Sequence, residues 1–255
     1  MLALKPFGPA IGDNATTTEV TEIAPDVFRI STFPEGGRLA FGQFLIRDEQ
    51  PLLFHTGGRR IFAETLAAVS SLIDPSTLRY IGWSHLESDE CGAMNDFLRV
   101  APNAEPVHST MGKRLGADDF FDRPVLALND GETLDLGSKR LRLLTTPHVP
   151  HSWEAIMAFE ETTGTLFASD LFTTFGETAA LSDHDIVGPA LQMLEQAPDY
   201  LPVGPRTAGV FERLEALQPR VIAGHHAPAY TGDTVQALRD LKDGDAVRPI
   251  ASPVR

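Results

Sequence analysis

The densest group of chemically capable side chains lies at residues 84–92, where an apolar run passes into the start of a predicted helix. Within six consecutive positions, His85, Glu87, Asp89 and Glu90 offer one imidazole and three carboxylates, which are common metal ligands. In an extended segment, residues two apart project to the same side, so His85 and Glu87 can meet one ion. Asp89 and Glu90, at the turn into the helix, can then reach a neighbouring ion. The spacing therefore favours a site for two metal ions.

The acidic residues of this segment also have an interpretation without any metal. Near the first turn of a helix, Glu87, Asp89 and Glu90 would complement the helix dipole. Sites on α/β sheets are built where strands end, because loops leave there while the strands hold their bases rigid. Three further segments favour the metal site, since each places histidine or aspartate after an apolar run, at residues 146–151, 168–170 and 224–228.

The elements that must hold these residues are short strands interleaved with helices. The run at 60–73 has helical periodicity and places Phe62, Leu66, Val69 and Ile73 on one face. The strands are too many for a simple doubly wound sheet, so we predict an α/β fold with two sheets face to face and helices outside, a four-layer αββα sandwich. Strands are predicted at 26–32, 39–47, 51–55, 79–84, 105–108, 125–128, 132–136, 139–146, 154–160, 164–168 and 220–223, and further helices near 92–100, 109–116, 188–196, 206–217 and 233–242.

The chain is expected to form one compact domain at residues 21–243. Its 255 residues, of which 42% are hydrophobic, are enough for a large core. Residues 1–20 are rich in Gly, Pro and Thr without periodicity, and they are predicted to form an N-terminal extension or an edge segment. Residues 244–255 are predicted to form a loose C-terminal tail.

Charge and composition limit the class of partner. With 21 Lys and Arg against 35 Asp and Glu, the formal net charge is −14, which favours small molecules over nucleic acid or anionic membranes. The apolar stretches are shorter than the ~20 residues of a membrane-spanning helix, and no signal-peptide core is visible, so we expect a cytoplasmic protein. Cys91 has no second cysteine for an intrachain disulfide and is expected to be a buried small residue rather than a nucleophile.

The whole constellation resembles the metallo-β-lactamase superfamily. Its His-x-Glu-x-Asp form, at residues 85–89, is similar to the diiron domain of flavodiiron proteins and of stand-alone oxygen-binding diiron proteins. The resemblance covers about residues 22–240. It implies that the first metal is held by His85, Glu87 and His151, the second by Asp89 and His226, and that Asp170 bridges both.

Glu90 is the main departure from that family pattern, since it stands where a histidine usually binds the second metal. The resemblance leaves three roles for it: a carboxylate ligand, a group that binds water near the metal, or no ligand. For the middle histidine, residues 151–159 resemble the family's His-Trp-Pro-Asp-x-Met-x-x-Tyr stretch, and the 19-residue interval to Asp170 also matches. His151 is therefore preferred to His148.

The last ligand has two neighbouring candidates. Residues 226–233 resemble the family's His-Gly-Pro segment, with Ala227 in place of glycine, which favours His226. Reading Gly224 and His225 as the superfamily's Gly-His pair would reverse that choice. The remaining candidates to support the ligands from behind are His55, His148 and His225, and each has an alternative interpretation as an ordinary loop or strand-end histidine.

The charge of the ligand set separates redox chemistry from hydrolysis. A dizinc site with mostly imidazole ligands keeps net positive charge, which makes a bound water acidic (pKa ~7) and nucleophilic. Here Glu87, Asp89, Asp170 and, if it binds, Glu90 bring three or four negative charges to two divalent ions. Such an oxygen-rich set favours iron. We therefore expect two iron ions that bind or reduce O2 or NO, in a sensor, a reductase, or an oxidase acting on a small organic substrate.

Two other functions stay open at this point. A hydrolase of the thioesterase, lactonase or phosphodiesterase kind, with zinc or manganese, is supported by the many reactions that this fold hosts. A non-catalytic binding module would keep the fold, with Glu90 marking a damaged second site. Flavodiiron relatives receive electrons from a flavodoxin-like domain, for which 255 residues leave no room, and no Gly-rich phosphate-binding turn is visible. We expect no flavin on this chain alone, an external electron donor for turnover, and a homodimer as the common default.

Overall fold

Two seven-stranded sheets lie face to face in the computed structural model, which describes residues 17–34 and 36–246. The first sheet consists of β1 (Thr17–Ala24), β2 (Val27–Phe33), β3 (Phe41–Ile46), β4 (Leu52–Phe54), β5 (Tyr80–Gly82), β6 (Glu105–Ser109) and β7 (Leu126–Leu128). These strands follow one another across the sheet in chain order, antiparallel from β1 to β4 and parallel from β4 to β7.

The second sheet begins with an antiparallel meander and closes with a crossover. Its strands are β8 (Thr133–Asp135), β9 (Arg140–Thr145), β10 (Ile156–Glu160), β11 (Thr165–Phe167), β12 (Leu181–Ser182), β13 (Val221–Ala223) and β14 (Ala229–Tyr230). Their order across the sheet is β12-β14-β13-β11-β10-β9-β8, and β13 pairs with β11 in parallel.

Helices cover the outer faces of both sheets. They are α1 (Phe62–Leu72), α2 (Ser88–Cys91), α3 (Met94–Val100), α4 (Thr110–Gly112), α5 (Asp118–Phe120), α6 (Val187–Gln196), α7 (Thr207–Ala216) and α8 (Thr234–Ala246), with a π-helical turn at Lys113–Ala117 between α4 and α5. None of the helices in the described ranges is long and apolar enough to cross a membrane.

The core forms three apolar layers, one between the sheets and one under each set of helices. Between the sheets, the Phe167 ring lies 5.2 Å from that of Phe44 and 5.5 Å from that of Phe54. Val69 of α1 and Phe97 of α3 are buried against the first sheet, and Met193, Phe211 and Leu238 of α6, α7 and α8 against the second. The predicted αββα sandwich is thereby confirmed.

The ends of the domain differ in detail from the sequence prediction. β1 begins at Thr17, inside the stretch 1–20, and forms the edge of the first sheet. α8 continues to Ala246, three residues past the predicted boundary at 243. Residues 1–16 and 247–255, which make up most of the predicted extension and tail, lie outside the described residues.

Strand direction brings the predicted site segments to one edge of the sandwich. β11 and β13 are parallel with Phe167 opposite Ala223, so the segments that follow them leave side by side. The backbone N–H of His225 donates to the carbonyl of Ser169 at 2.8 Å. The two sheets are also fastened to each other at this edge, because the Gly42 N–H donates to the His225 carbonyl at 2.8 Å and the Ile156 N–H to the Ser84 carbonyl at 2.9 Å.

Candidate metal centre

The acidic segment after β5 turns into the short helix α2. Glu87 precedes this helix in an extended conformation, with φ −125° and ψ 161°. His85 and Glu90 are fully buried below the surface, whereas the Glu87 side chain is 47% exposed. The segment therefore places His85 and Glu90 in the interior of the site and Glu87 at its solvent-exposed side.

Four side chains make a first group of possible metal ligands. Glu87 Oε1 lies 3.3 Å from His151 Nε2 and 3.6 Å from His85 Nε2. Asp170 Oδ2 lies 3.4 Å from His151 Nε2 and 3.6 Å from His85 Nε2. Donor atoms placed tetrahedrally around an ion with bonds of about 2.1 Å would be about 3.4 Å apart, so these separations suit donors that share a cation.

A second group lies on the other side of Asp170. His226 Nε2 is 3.3 Å from Asp89 Oδ2 and 3.6 Å from Asp170 Oδ1. Asp170 thus turns one carboxylate oxygen to each group, which is the geometry of a bridging ligand. The donor atoms of Asp89, His226, Glu90 and His225 all lie within 4.8 Å of one another.

Glu90 is oriented toward both groups. Its Oε1 atom is 3.6 Å from His85 Nε2 and 3.9 Å from His225 Nε2. The Glu90 carboxyl group therefore faces the cluster, and its three possible roles, as a ligand, as a water-binding group or as no ligand, stay predictions.

Backbone carbonyls hold the imidazoles from behind. His151 Nδ1 lies 2.8 Å from the Tyr200 carbonyl, His226 Nδ1 2.8 Å from that of Ala40, and His225 Nδ1 2.7 Å from that of Gly42. Because a carbonyl oxygen only accepts, each Nδ1 carries a proton, and Nε2 is the ring nitrogen that faces the cluster. Metal-binding histidines in proteins are commonly oriented in this way.

The donor set fits a pair of cations. Both Glu90 oxygens, Asp170 Oδ1 and His225 Nε2 are buried without a hydrogen-bond partner within residues 17–34 and 36–246. Buried polar groups normally have a partner, because leaving them unpaired costs free energy. Burial and the nearby Asp170 carboxylate raise the pKa of Glu90 well above its ordinary value. A cation between these groups would remove both the missing contacts and the repulsion.

The other carboxylates of the cluster interact with neighbouring imidazoles, and these contacts shift the pKa of carboxylates and of imidazoles. Contacts with His151 and His85 lower the pKa of Glu87 to about 2. Burial acts to lower the pKa of His151, but Glu87 and Asp170 outweigh it and raise that pKa to about 9. Asp89 is only partly buried, and although burial acts to raise its pKa, the imidazoles of His225 and His226 hold that pKa far below the usual range. A protonated His151 thus supplies positive charge to the carboxylates beside it.

The predicted supporting histidines separate into two kinds. His55 is buried behind the centre, with Nδ1 3.0 Å from His225 Nδ1 and Nε2 3.0 Å from Ser84 Oγ. His148 is exposed and instead lines a cavity of about 690 Å³ together with Trp153 and Arg206. His148, whose φ is 65°, is not among the residues that the structure brings together in the ligand cluster.

Cys91 lies next to the centre without facing it. Its thiol donates to the Glu87 carbonyl at 3.1 Å, and burial together with the Asp89 charge raises its pKa to about 12. These observations agree with the expected buried, unreactive cysteine.

Several residues that support the site were missed in the sequence. The hydroxyls of Ser84 and Ser169 lie 3.0 and 3.4 Å from His85 Nδ1, and Glu154 accepts from the Leu86 N–H at 3.0 Å. His108 stacks on Trp83 at 4.4 Å, with Nε2 3.2 Å from the Ser84 carbonyl. Ser84 directly precedes the predicted ligand His85, and Ser169 directly precedes Asp170, so their positions in the sequence already placed them beside the site. Glu154 and the Tyr200 carbonyl come from distant segments and carry no local signal.

Comparison with known proteins shows the same kind of domain. Residues 39–227 match the family described as ODP family beta lactamase. A rubredoxin-oxygen oxidoreductase of Megalodesulfovibrio gigas is 28% identical over 204 residues, which are 75% of this chain and 49% of that protein. A flavo-diiron protein of Clostridium acetobutylicum is 27% identical over 255 residues, with 96% of this chain and 62% of that protein covered.

A solved structure extends the agreement to the fold. The rubredoxin oxygen:oxidoreductase from the anaerobe Desulfovibrio gigas superposes with a TM-score of 0.76 at 20% identity, covering 91% of this chain and 63% of that one. The chain thus spans between about half and two thirds of the length of these relatives. Since the matched family region contains every residue of the cluster, from His85 to His226, this chain belongs to the ODP beta-lactamase family, with the fold of a flavodiiron core.

Proposed function

We propose that this chain holds two iron ions in the carboxylate-rich cluster and uses them to bind or reduce O2 or NO. The observation that supports the proposal most is the convergence of Glu87, Asp89, Glu90 and Asp170 with imidazoles in one buried cluster. Four carboxylates can cancel the charge of two divalent ions, which makes water on them a poor nucleophile and favours iron over zinc.

The ligand roles follow from the distances in the two groups. His85, Glu87 and His151 would hold the first iron, and Asp89 with His226 the second. Asp170 would serve both ions, because its Oδ2 lies among the side chains of the first group and its Oδ1 faces His226 of the second. Glu90 faces both positions and would add a further oxygen ligand between them.

The protein would tune and shield such a centre with its own groups. When bound, reduced iron supplies the electrons that O2 or NO accepts. The carbonyls of Tyr200 and Ala40 fix two imidazoles in the tautomer that binds metal. Burial of His85 and Glu90 keeps water from the inner side, whereas Glu87 and the 16% exposed His151 side chain mark the open side through which a gas would enter.

Turnover would need electrons from another protein. The relatives named as oxidoreductase and flavo-diiron protein are longer than this chain, which covers 49% and 62% of them. We propose that an external electron donor supplies the cluster during turnover, and that without electrons the protein acts as a sensor. The expected homodimer and cytoplasmic location remain predictions.

The test is the metal content and optical spectrum of protein produced with iron supplied and purified without oxygen. The proposal expects two irons per chain and charge-transfer absorption that appears when O2 or NO is admitted to the reduced protein. Stoichiometric zinc with cleavage of an ester or thioester would contradict it in favour of the hydrolase. At most one loosely held ion would contradict it in favour of a binding module.

A further inference from the structure

We infer that His225 is a direct ligand of the second metal ion, beside its neighbour His226. The inference rests on the proposed two-metal centre and deepens it. The sequence left His225 either as a support behind the ligands or as a ligand in place of His226, whereas here both histidines bind. It also gives the second ion two imidazoles together with the carboxylates of Asp89 and Glu90.

The position of His225 Nε2 is that of a ligand atom without its metal. The side chain is fully buried, and Nε2 has no hydrogen-bond partner within the described ranges. This atom lies 3.7 Å from Asp89 Oδ2 and 3.9 Å from Glu90 Oε1, too far for hydrogen bonds. Separations of this size are instead compatible with donors that share one ion at a wide angle between their bonds, since bonds of about 2.1 Å place two donors at most about 4.2 Å apart.

The tautomer of His225 excludes the simplest alternative, a hydrogen bond to the carboxylates. Nδ1 is 2.7 Å from the Gly42 carbonyl, which can only accept, so Nδ1 carries the proton. Nε2 therefore points a lone pair at the lone pairs of Asp89 and Glu90. Without a cation this arrangement is repulsive, whereas an ion between the three groups makes it attractive. The ligand candidates His151 and His226 likewise turn Nδ1 to a backbone carbonyl and Nε2 to the cluster.

The surrounding backbone aims the His225 ring and prevents it from turning away. The His225 N–H donates to Ser169, its carbonyl accepts from Gly42, and both bonds are 2.8 Å long. Behind the ring, His55 Nδ1 lies 3.0 Å from His225 Nδ1 and limits the space into which the ring could turn. Such preorganisation is characteristic of metal ligands and is not needed for an ordinary core histidine.

This ligand set has a consequence for the choice of metal. Two adjacent imidazoles and two or three carboxylates form a mixed nitrogen and oxygen site, which suits divalent first-row transition ions and disfavours Mg²⁺ and Ca²⁺. The histidine expected at position 90 is replaced by a carboxylate, and His225 would restore the second nitrogen from the opposite side of the site.

The test is a titration of the metal-free protein with Co²⁺, followed by visible absorption and by metal analysis. Wild type should bind two ions. His225→Ala should keep the first and bind the second at least 100-fold more weakly, and added imidazole should restore the second ion by filling the space. His148→Ala, an exposed histidine outside the cluster, should behave as wild type. A second ion bound by His225→Ala with unchanged affinity and spectrum would overturn the inference while leaving the two-metal centre intact.

Two further results separate the inference from the proposal that it rests on. If wild type binds fewer than two ions, the two-metal centre fails and the His225 ligand with it. A crystal structure of the Co²⁺-loaded wild type covers the case in which His225→Ala does not fold. His225 Nε2 at about 2.0–2.2 Å from the second ion supports the inference, and a separation above about 3 Å overturns it.

Discussion

Asp170 is the side chain on which the two halves of the site depend. Its oxygens face different groups, Oδ2 toward His85 and His151 and Oδ1 toward His226. If the proposed centre forms, one substitution at this position removes a ligand from both ions at once.

Asp170→Ala is expected to reduce the metal content from two ions per chain to one or none. The reason is that both ions lose a ligand. The negative charge that reduces the repulsion between the two cations is lost as well. Metal analysis after dialysis measures the change. Asp183→Ala, at an exposed carboxylate, is the matched control and should keep both ions. Two ions retained in Asp170→Ala would contradict the bridging role.

Glu90→Gln is expected to have opposite effects on the metal-free and the metal-loaded protein. Without metal, removal of a buried carboxylate next to Asp170 and Asp89 relieves like-charge repulsion and should raise the melting temperature, by about 2–8 °C for about 1–2 kcal/mol. With metal, the same change removes an anionic donor and should weaken binding at least tenfold. Thermal melts at pH 8 and metal titrations measure both. Glu212→Gln, on the exposed face of α7, should change neither; equal shifts in both states would count against Glu90 as a ligand.

The sequence was sufficient to predict which residues form the cluster, but not the role of each residue in it. His85, Glu87, Asp89 and Glu90 form a local pattern, and Asp170 and His226 follow apolar strands, so residue type and spacing were sufficient to predict that they converge. The orientation of His225 was not predictable, since it depends on the carbonyl of Gly42, 183 residues away in the chain. Tautomers and lone-pair directions are set by such distant contacts.

Among the secondary-structure elements, β3 and the loop after β13 are the pair that fixes the second metal position. Gly42 of β3 approaches this loop so closely that a Cβ atom there would lie 2.9 Å from the His225 carbonyl oxygen. Both atoms belong to backbone, so neither can move aside as a flexible side chain would. Glycine is required here by space and not by its φ angle.

Gly42→Ala is therefore expected to destabilise the fold by about 1–3 kcal/mol and to weaken the second metal more than the first. The added methyl group pushes the His225 backbone away from β3. Denaturant unfolding and Co²⁺ titration measure the two effects. Gly209→Ala is the control, because it lies in α7 with open space around it and should stabilise the helix by up to about 1 kcal/mol. An unchanged second site in Gly42→Ala would show that the loop position does not depend on β3.

Elements with an apolar pattern were predictable and those without one were not. α1 was predicted at 60–73 from its apolar face and spans Phe62–Leu72, and the three-residue strand β13 was predicted from its apolar run. β12 and β14 have two residues each and no periodicity, so only pairing within the sheet defines them, β12 with β14 and β14 also with β13. β1, Thr17–Ala24, was missed as a strand over its whole length because half of its side chains are exposed and only one is buried.

For the whole molecule, metal binding and stability are linked through the charges of the site. The metal-free site holds protons where the proposed ions would be, most clearly on His151, whose pKa is raised to about 9. A histidine with a folded pKa above its unfolded value of about 6.5 stabilises the fold fully below that value and loses this contribution as the pH rises toward 9. Metal would take the place of the proton and remove this dependence.

The metal-free protein is therefore expected to melt at progressively lower temperature between pH 6.5 and 9, and the metal-loaded protein is not. The raised pKa of Glu90 acts in the same direction, since its ionisation at higher pH adds a buried charge. Thermal melts across this range in the presence of chelator or of metal measure the difference. His151→Gln should flatten the metal-free profile, whereas His148→Ala should leave it unchanged. A metal-free profile without slope would contradict the proton occupancy inferred for the site.

The most direct test of a two-iron centre is anomalous diffraction from crystals of protein produced with iron and zinc both supplied. Data on either side of the iron and zinc edges identify each metal at its position. The account predicts two iron peaks about 3.5–4 Å apart, with Asp170 between them and His85 and His226 on opposite ions. Zinc at both positions, or a single peak, would contradict it.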